Sequence, residues 1–440
     1  MLGAGLVMAP TILGAEEKAP AGGDVTVGIL GAGTQGRILL EQAIKIPGVK
    51  FKAVCDIWPY SQTYTSRRLK AYGHEVNVYT DYQEFLEKEK DIQTVIVATP
   101  DFMHAEHAIA CLKAGKHVYC EKEMSNDLAK ARQMVAAMRE TGKLLQIGHQ
   151  RRSNPRYIFA KQKLIDEAKL CGRMTHIYGQ WNRSTAAAAP KGFPAKYEVP
   201  DATLKKYGYE NMFQFRNWRM FKKYGGGPME DLGSHQVDVF PWFIDGKPKS
   251  VQASGGVDYW KEYELYDNVL AIYEYTTPKG IVRAFYETLT TTSARGYYES
   301  FSGDEGTLTI SESPGQCRVY AEGHLPAKDG KHPWEQWVTK GYLLRVPDTE
   351  AGKTEEPKSA ADAIMSVYKS KPPTAFMFNV TVEENYHQAH LQNFFDAVRG
   401  KGKLNCPADI AFESAVMVLK ANEAVAARKT LDFTEEDFKV

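Results

Sequence analysis

The chain reads as two parts: an α/β N-terminal domain with a doubly wound parallel sheet, and an α+β C-terminal domain with an open, mainly antiparallel sheet. Three observations predict this. The 440 residues exceed what one hydrophobic core usually holds. From Asp24 to Gly148 short apolar strands alternate with helical stretches, the pattern of a parallel sheet covered on both faces. Beyond Gly148 the pattern changes to strand pairs around short turns, which is the signature of antiparallel hairpins.

The elements follow in chain order. Residues 1–23 form an apolar start and a polar linker, 24–148 the first domain and 149–440 the second. Strand candidates in the first domain are Val25 to Leu30, Phe51 to Val54, Val76 to Tyr79, Thr94 to Ala98, His117 to Tyr119 and Leu144 to Ile147. A helix over Arg37 to Ile44 follows the first strand. Before the last strand, Ser125 can cap a helix whose Leu128, Ala131, Met134, Val135 and Met138 share one face, ending at Gly142. In the second domain, Val269 to Tyr275 and Ile281 to Glu287 flank Thr277-Pro278-Lys279-Gly280, and Tyr297 to Ser302 pairs with Thr307 to Ile310 around Gly303-Asp304-Glu305-Gly306. The polar segment from Ser311 to about Glu384 reads as an insertion, and two helices close the chain, Tyr386 to Arg399 and Ile410 to Ala427.

Bulk composition narrows the function. Hydrophobic residues make up 43% and charged residues 25%, as in an ordinary soluble protein. Lys plus Arg number 55 and Asp plus Glu 54, so no net field gathers nucleic acid or an anionic membrane, and small-molecule chemistry is expected. Residues 2–15 carry no charge and resemble the apolar core and small-residue cleavage site of an export signal. The run is too short to span a bilayer. Export to the periplasm by the twin-arginine route, which carries folded proteins, is the expectation; without a signal the protein stays cytoplasmic. The six cysteines, Cys55, Cys111, Cys120, Cys171, Cys317 and Cys406, contain no C-x-x-C pair and specify neither zinc nor a disulfide framework.

The most informative motif follows the first strand: Gly31, Ala32, Gly33, Thr34, Gln35 and Gly36 read G-x-G-x-x-G and run into a helix. The first glycine permits the turn, the second lets backbone N–H groups approach a pyrophosphate, and the third lets helix and strand pack closely, with the positive helix end facing the anion. Asp56 ends the second strand, twenty positions after Gly36, where a carboxylate accepts hydrogen bonds from an adenosine ribose and repels a 2′-phosphate. The cofactor expected is therefore NAD on a Rossmann sheet.

Chemistry is expected at the carboxyl ends of the later strands, which face the ligand crevice in such sheets. There stand Thr99, Pro100 and His104, then Glu121, Lys122 and Glu123. Much further on, Asp231 and His235 follow the run Gly225-Gly226-Gly227-Pro228; four apart on a helix, they share one face. His104 with His107, and His387 with His390, lack a third ligand by spacing, so no metal is expected.

Together these blocks resemble the glucose-fructose oxidoreductase / inositol dehydrogenase family, Gfo/Idh/MocA, across most of residues 24–310 and the terminal helices. One departure stands out: the family's Glu-Lys-Pro is Glu121-Lys122-Glu123 here, which puts the family's cis peptide in question and adds a carboxylate near the site. The resemblance implies oxidation of a hydroxyl to a ketone, with Lys122, Asp231 and His235 around the reacting carbon. The chemistry agrees. A hydride leaves an alcohol only as its proton is removed, and imidazole is a suitable base; Lys122 would hydrogen-bond the oxygen as it becomes an alkoxide and then a carbonyl. Asp231 would hold the imidazole or bind a neighbouring hydroxyl. His104 would sit under the nicotinamide ribose, and Gln150 joins the cofactor contacts.

Arg151, Tyr157, Trp181, Asn182, Arg183, Trp218 and Arg219 fall in stretches that line the substrate cleft in relatives, and planar rings with multidentate polar groups suit a sugar. The reading is an NAD-dependent oxidoreductase acting on a ring hydroxyl of a sugar or glycoside, with its NAD tightly bound. The alternative is a glycosidase working by transient oxidation, elimination, hydration and re-reduction, with Glu123, Tyr157 or Tyr178 as the extra base. A sugar-binding protein without catalysis is a third reading. Relatives associate through the open sheet, so a homodimer or homotetramer is expected, with a carbohydrate as the small-molecule partner.

Overall fold

The computed structural model describes residues 23–327, 330–346, 373–382 and 385–440. The apolar segment at 2–15 and much of the segment after Ser311 therefore lie outside the described residues. Six strands, β1 (Val25–Leu30), β2 (Val49–Cys55), β3 (Asn77–Tyr79), β4 (Thr94–Val97), β5 (His117–Cys120) and β6 (Leu145–Ile147), form one sheet in the order β3-β2-β1-β4-β5-β6. Every pairing in it is parallel. β1 and β4 are buried almost end to end because helices cover both faces, which is why they read as unbroken apolar runs. The helix Leu128–Thr141 is capped by Asp127, whose carboxylate accepts from Lys130 N at 2.9 Å; the expected cap, Ser125, instead accepts from Asp127 N at 3.2 Å. The helix ends on Gly142 in the left-handed region, as its lack of a Cβ allows.

The second sheet holds ten strands: β7 (Met174–Asn182), β8 (Lys247–Gly256), β9 (Asn268–Thr277), β10 (Gly280–Leu289), β11 (Tyr297–Gly303), β12 (Gly306–Ile310), β13 (Arg318–Ala321), β14 (Leu343–Arg345), β15 (Thr374–Phe378) and β16 (Leu431–Asp432). Their order is β14-β15-β13-β12-β11-β7-β10-β9-β8-β16. Both expected hairpins are present as β9–β10 and β11–β12. The single parallel pair in this sheet, β7 with β10, sits at its centre. The segment from Ser311 contributes β13, β14 and β15 to this sheet, so much of it is framework rather than loop.

Three features place the site. The helix Ser234–Ile244 lies against β7 at Gly179, where a Cβ would come within 2.6 Å of the Phe240 ring. The helix Tyr386–Val398 returns to the first sheet, where Leu391, Phe394, Phe395 and Val398 join the core of Val27, Ile29 and Phe51. The helix Ala408–Ala427 lends Phe412, Ala415 and Val416 to the core of the first sheet and Met417, Val418 and Ala421 to that of the second. Chain order would put both closing helices with the second sheet; instead Tyr386–Val398 packs on the core of the first and Ala408–Ala427 on the cores of both.

Candidate active site

The glycine loop opens at the carboxyl end of β1. Gly31 has φ +86°, and a Cβ there would meet the Ala98 carbonyl and Thr99 N at 2.6 Å; at Gly36 it would meet Gly31 O at 2.1 Å. At Gly33 nothing lies within 4 Å of a Cβ position, so the backbone there faces open space at the start of the helix Thr34–Ala43. Uncommitted helix N–H groups around an open glycine fit a pyrophosphate. Asp56 closes the same edge, accepting from Ala32 N at 2.7 Å and Trp58 N at 2.8 Å. Burial raises its pKa, against those two N–H groups and the charges of Arg37 and Arg216. From β5, Glu121 Oε1 accepts from Gln35 Nε2 at 3.2 Å, and Gln35 Nε2 also lies 3.1 Å from His387 Nε2. His387, on a closing helix, thus stands at the glycine loop, which its sequence position did not reveal. Burial pushes Glu121 up to about 7 against the pull of Lys122. Thr99 and Pro100 sit at the end of β4, with Thr99 Oγ1 held 3.0 Å from His107 Nδ1.

Lys122 leaves the end of β5 and its Nζ donates to the Asp231 carbonyl, 3.8 Å from the Asp231 carboxylate. That carboxylate is the hub of three cations: Arg219 Nε donates at 2.9 Å and Arg183 Nη1 at 3.2 Å, one to each oxygen. Burial works against ionisation of Asp231, but Arg219, Arg183 and Lys122 overcome it and hold its pKa well below the usual carboxylate range. Asp231 was expected to hold the imidazole or a substrate hydroxyl; its oxygens instead bind guanidiniums from a strand end and a loop. His235, one turn on, lies with its ring 5.1 Å from that of Trp181, and its Nδ1 is buried without a hydrogen-bond partner among the described residues. Burial, then Lys122, Arg151, His149 and His387, keep this imidazole neutral, its pKa well below the ordinary value.

The Lys122–Glu123 peptide is cis, with Glu123 standing where the resemblance implied a proline. The Glu123 side chain does not enter the cleft. It is fully buried, accepting from Met124 N at 2.8 Å and standing 3.9 Å from His149 Nε2, and burial pushes its pKa up to about 8. Asp101 and Glu230 lie in the same buried acidic group. His149, Asp101 and Glu230 were not assigned from the sequence: Asp101 and Glu230 stand beside Pro100 and Asp231 in the motifs read there, but only the fold brings them together with Glu123 and His149.

Several residues expected at the cofactor or substrate are committed to the protein itself. His104 is buried and wedged between the Glu123 and Thr99 carbonyls at 2.6 and 2.7 Å. Arg151 donates to Glu299, and Tyr157 donates to the other oxygen of the same carboxylate at 2.7 Å, both fully buried. Gln150 reaches Glu312 at 3.4 Å. Asn182 ties β7 to β10 and the following turn through Glu287, Leu289 N and Ala294 O. Trp218 is packed in an aromatic cluster with Arg219 over its ring at 4.2 Å. Of the expected substrate contacts, Trp181, Arg183 and Arg219 are the ones gathered beside Lys122, Asp231 and His235. Among the described residues no His, Cys, Asp and Glu side chains group as a metal site, and no helix is long and apolar enough to cross a membrane.

Comparison with known proteins decides the family. Residues 25–149 match the oxidoreductase family with the NAD-binding Rossmann fold, and residues 201–309 match the GFO/IDH/MocA C-terminal domain. The chain belongs to the Gfo/Idh/MocA oxidoreductases. It is 33% identical over 146 residues to the uncharacterized oxidoreductase YrbE of Bacillus subtilis, covering 32% of this chain and 40% of that protein. It is 28% identical over 228 residues to the inositol 2-dehydrogenase of Salmonella typhimurium, covering 51% of this chain and 56% of that one. The matches thus span about half the length of these curated relatives. In fold it is similar to the WlbA dehydrogenase of Bordetella pertussis, solved with NADH and UDP-GlcNAcA, with a TM-score of 0.63 at 16% identity, covering 93% of this chain and 99% of that one. Gfo/Idh/MocA membership accounts for the pairing of a Rossmann sheet with a large, mostly antiparallel one.

Proposed function

We propose that this protein is an NAD-dependent oxidoreductase that oxidises a ring hydroxyl of a sugar or glycoside to a ketone while its NAD stays bound. The observation that carries the reading is the meeting of Lys122, from the end of β5, with Asp231 one helical turn before His235, at the mouth of a glycine-loop crevice. The glycine loop and Asp56 would hold the dinucleotide, which when bound supplies a hydride acceptor. Lys122 donates a hydrogen bond to the substrate oxygen and stabilises the negative charge that grows there. His235, neutral and buried, accepts the hydroxyl proton. Asp231 is a positioning residue, holding Lys122 and two arginines at the cleft. The name of the inositol relative and the sugar nucleotide in the WlbA complex support a hydroxylated ring as the substrate.

Cleavage of a glycoside through a transient ketone needs a further base for the elimination. Glu123 and Tyr157 are sealed in the core, and Tyr178 points from the face of β7 opposite Trp181, with its hydroxyl 3.0 Å from Gln180 Oε1. Simple oxidation is therefore favoured. Incubation with aryl glycosides and no added NAD separates the two: an oxidoreductase stops at one keto-sugar per bound NAD until a second carbonyl compound is supplied to take the hydride, whereas a glycosidase, which returns the hydride to its own intermediate, turns over and releases free aglycone without keto-sugar. Copies of the chain pair through the open face of the second sheet, where Leu270 and Ile272 are exposed; light scattering reads the resulting dimer or tetramer.

A further inference from the structure

The charges around Asp231 do not match one another, and the excess faces the cleft. A single carboxylate meets Lys122, Arg183 and Arg219. Lys122 is almost enclosed, its side chain 11% exposed, but the two arginines stay 36% and 42% exposed. Each gives Asp231 one N–H, Nη1 from Arg183 and Nε from Arg219. A guanidinium carries five donors in a planar fork, so most of each fork is left over. Both forks are held by more than Asp231: Arg183 lies 5.8 Å from the centre of the Trp181 ring and Arg219 4.2 Å over Trp218.

Neighbouring acids do not absorb the excess at Arg183. Asp101 and Glu121 act on Arg219 from the crevice side, and both have raised pKa values through burial. For Arg183, Asp231 is the ion-pair partner among the described residues, and its remaining fork stands at the end of β7 beside the Trp181 ring. Two forks held apart by one carboxylate, on the substrate side of His235 and lined by an indole, form a receptor for a planar anion attached to an apolar ring face.

We propose that the substrate ring carries a carboxylate, received by Arg183 and Arg219, and that these two arginines set the preference for an acidic over a neutral sugar. The proposal rests on the oxidoreductase reading above and narrows its substrate. The carboxylate takes no part in the redox step. It fixes which ring carbon faces Lys122 and His235.

The test compares matched substrates, methyl hexopyranosides and the corresponding methyl hexuronides, in single turnovers of the NAD-loaded protein, where one sugar reduces one bound NAD and the rate of reduced-nicotinamide absorbance against sugar concentration gives kcat, KM and kcat/KM for that step. The proposal expects kcat/KM for the uronides to exceed that for the neutral partners by at least about tenfold, the scale of one charge-assisted hydrogen bond, with KM for the uronide rising as salt is added. Arg183→Gln should shrink the uronide-to-neutral ratio through KM and weaken the salt dependence, while Arg183→Lys, which keeps the charge, restores part of it. Binding of each methyl sugar to the wild-type protein by calorimetry gives the same comparison without relying on a variant that folds. Equal or higher kcat/KM for neutral sugars, or a phosphorylated or sulfated hexoside preferred to the uronide, overturns the carboxylate assignment and leaves the oxidoreductase standing. Oxidation of none of these sugars, with intact NAD, counts against both.

Discussion

Asp231 stands in the proposed catalytic constellation with its polar groups already engaged by cations. Its two oxygens are taken by Arg219 and Arg183, and its carbonyl takes Lys122. The spacing to His235 was visible in the sequence; the arginines, 12 and 48 positions away, were not, because only the turn of β7 into its loop and the fold of 216–220 bring them back. Lys122→Met should lower kcat about 10²- to 10³-fold, since it removes the donor to the developing alkoxide, while equilibrium dialysis finds NAD binding nearly unchanged. Glu123 gives a separate, pH-resolved prediction. Its pKa rises from the model-peptide region to about 8 on folding, so the folded chain binds this proton more tightly than the unfolded one. That favours the folded state at low pH, and the advantage is lost as pH climbs from about 4.5 towards 8. Glu123→Gln cannot ionise, so its melting temperature should gain on the wild type between pH 5 and pH 8 by thermal denaturation. A constant difference across that range would show that the buried carboxyl is not protonated in the native protein. Glu121 belongs to the same argument with a pKa of about 7, which places its loss in a lower window.

At the scale of elements, the connection from β7 to the helix Ser234–Ile244 carries the least expected structure. Its Val199, Leu204, Tyr209, Met212 and Phe221 join Trp58, two residues past Asp56, in a core of their own. Trp58 Nε1 donates to Tyr197 O at 2.7 Å, and Arg216 lies 4.6 Å over the Trp58 ring. The sequence put Trp218 and Arg219 in a stretch that lines the substrate cleft in relatives; the aromatic pairing shows that stretch strapped onto Trp58, beside Asp56. Trp58→Ala should destabilise the protein by about 3 kcal/mol, weaken NAD retention and raise hydrogen exchange over 195–224. Unchanged exchange there would mean the segment folds without its anchor. β1 and β4 were legible because each is a buried apolar run, and β9 and β10 because a Pro278-Lys279 turn joins them. β7 was missed. Its Met174-Thr175-His176 start is exposed and polar, and its parallel partner β10 lies about 100 residues on, so no local pattern marks it.

For the whole molecule, the closing helices matter most. Ala408–Ala427 packs on the cores of both sheets, and Tyr386–Val398 brings His387 to Gln35 at the glycine loop. The crevice and the second sheet are thereby fixed against each other, which lets Asp231 and His235 meet a lysine from the opposite domain. The periodicity of these helices could be read from the sequence, but their partners could not, since an apolar face does not say which of the two sheets it covers. The proposed oxidation requires that Lys122 and His235 face the nicotinamide end of a dinucleotide laid along the glycine loop. A crystal structure with NAD and a bound sugar measures this directly. The account predicts a ring carbon about 3 to 3.5 Å from the reactive carbon of the nicotinamide, its hydroxyl within hydrogen-bond reach of Lys122 Nζ and His235. A nicotinamide turned away from both side chains, with the sugar held elsewhere, would contradict it.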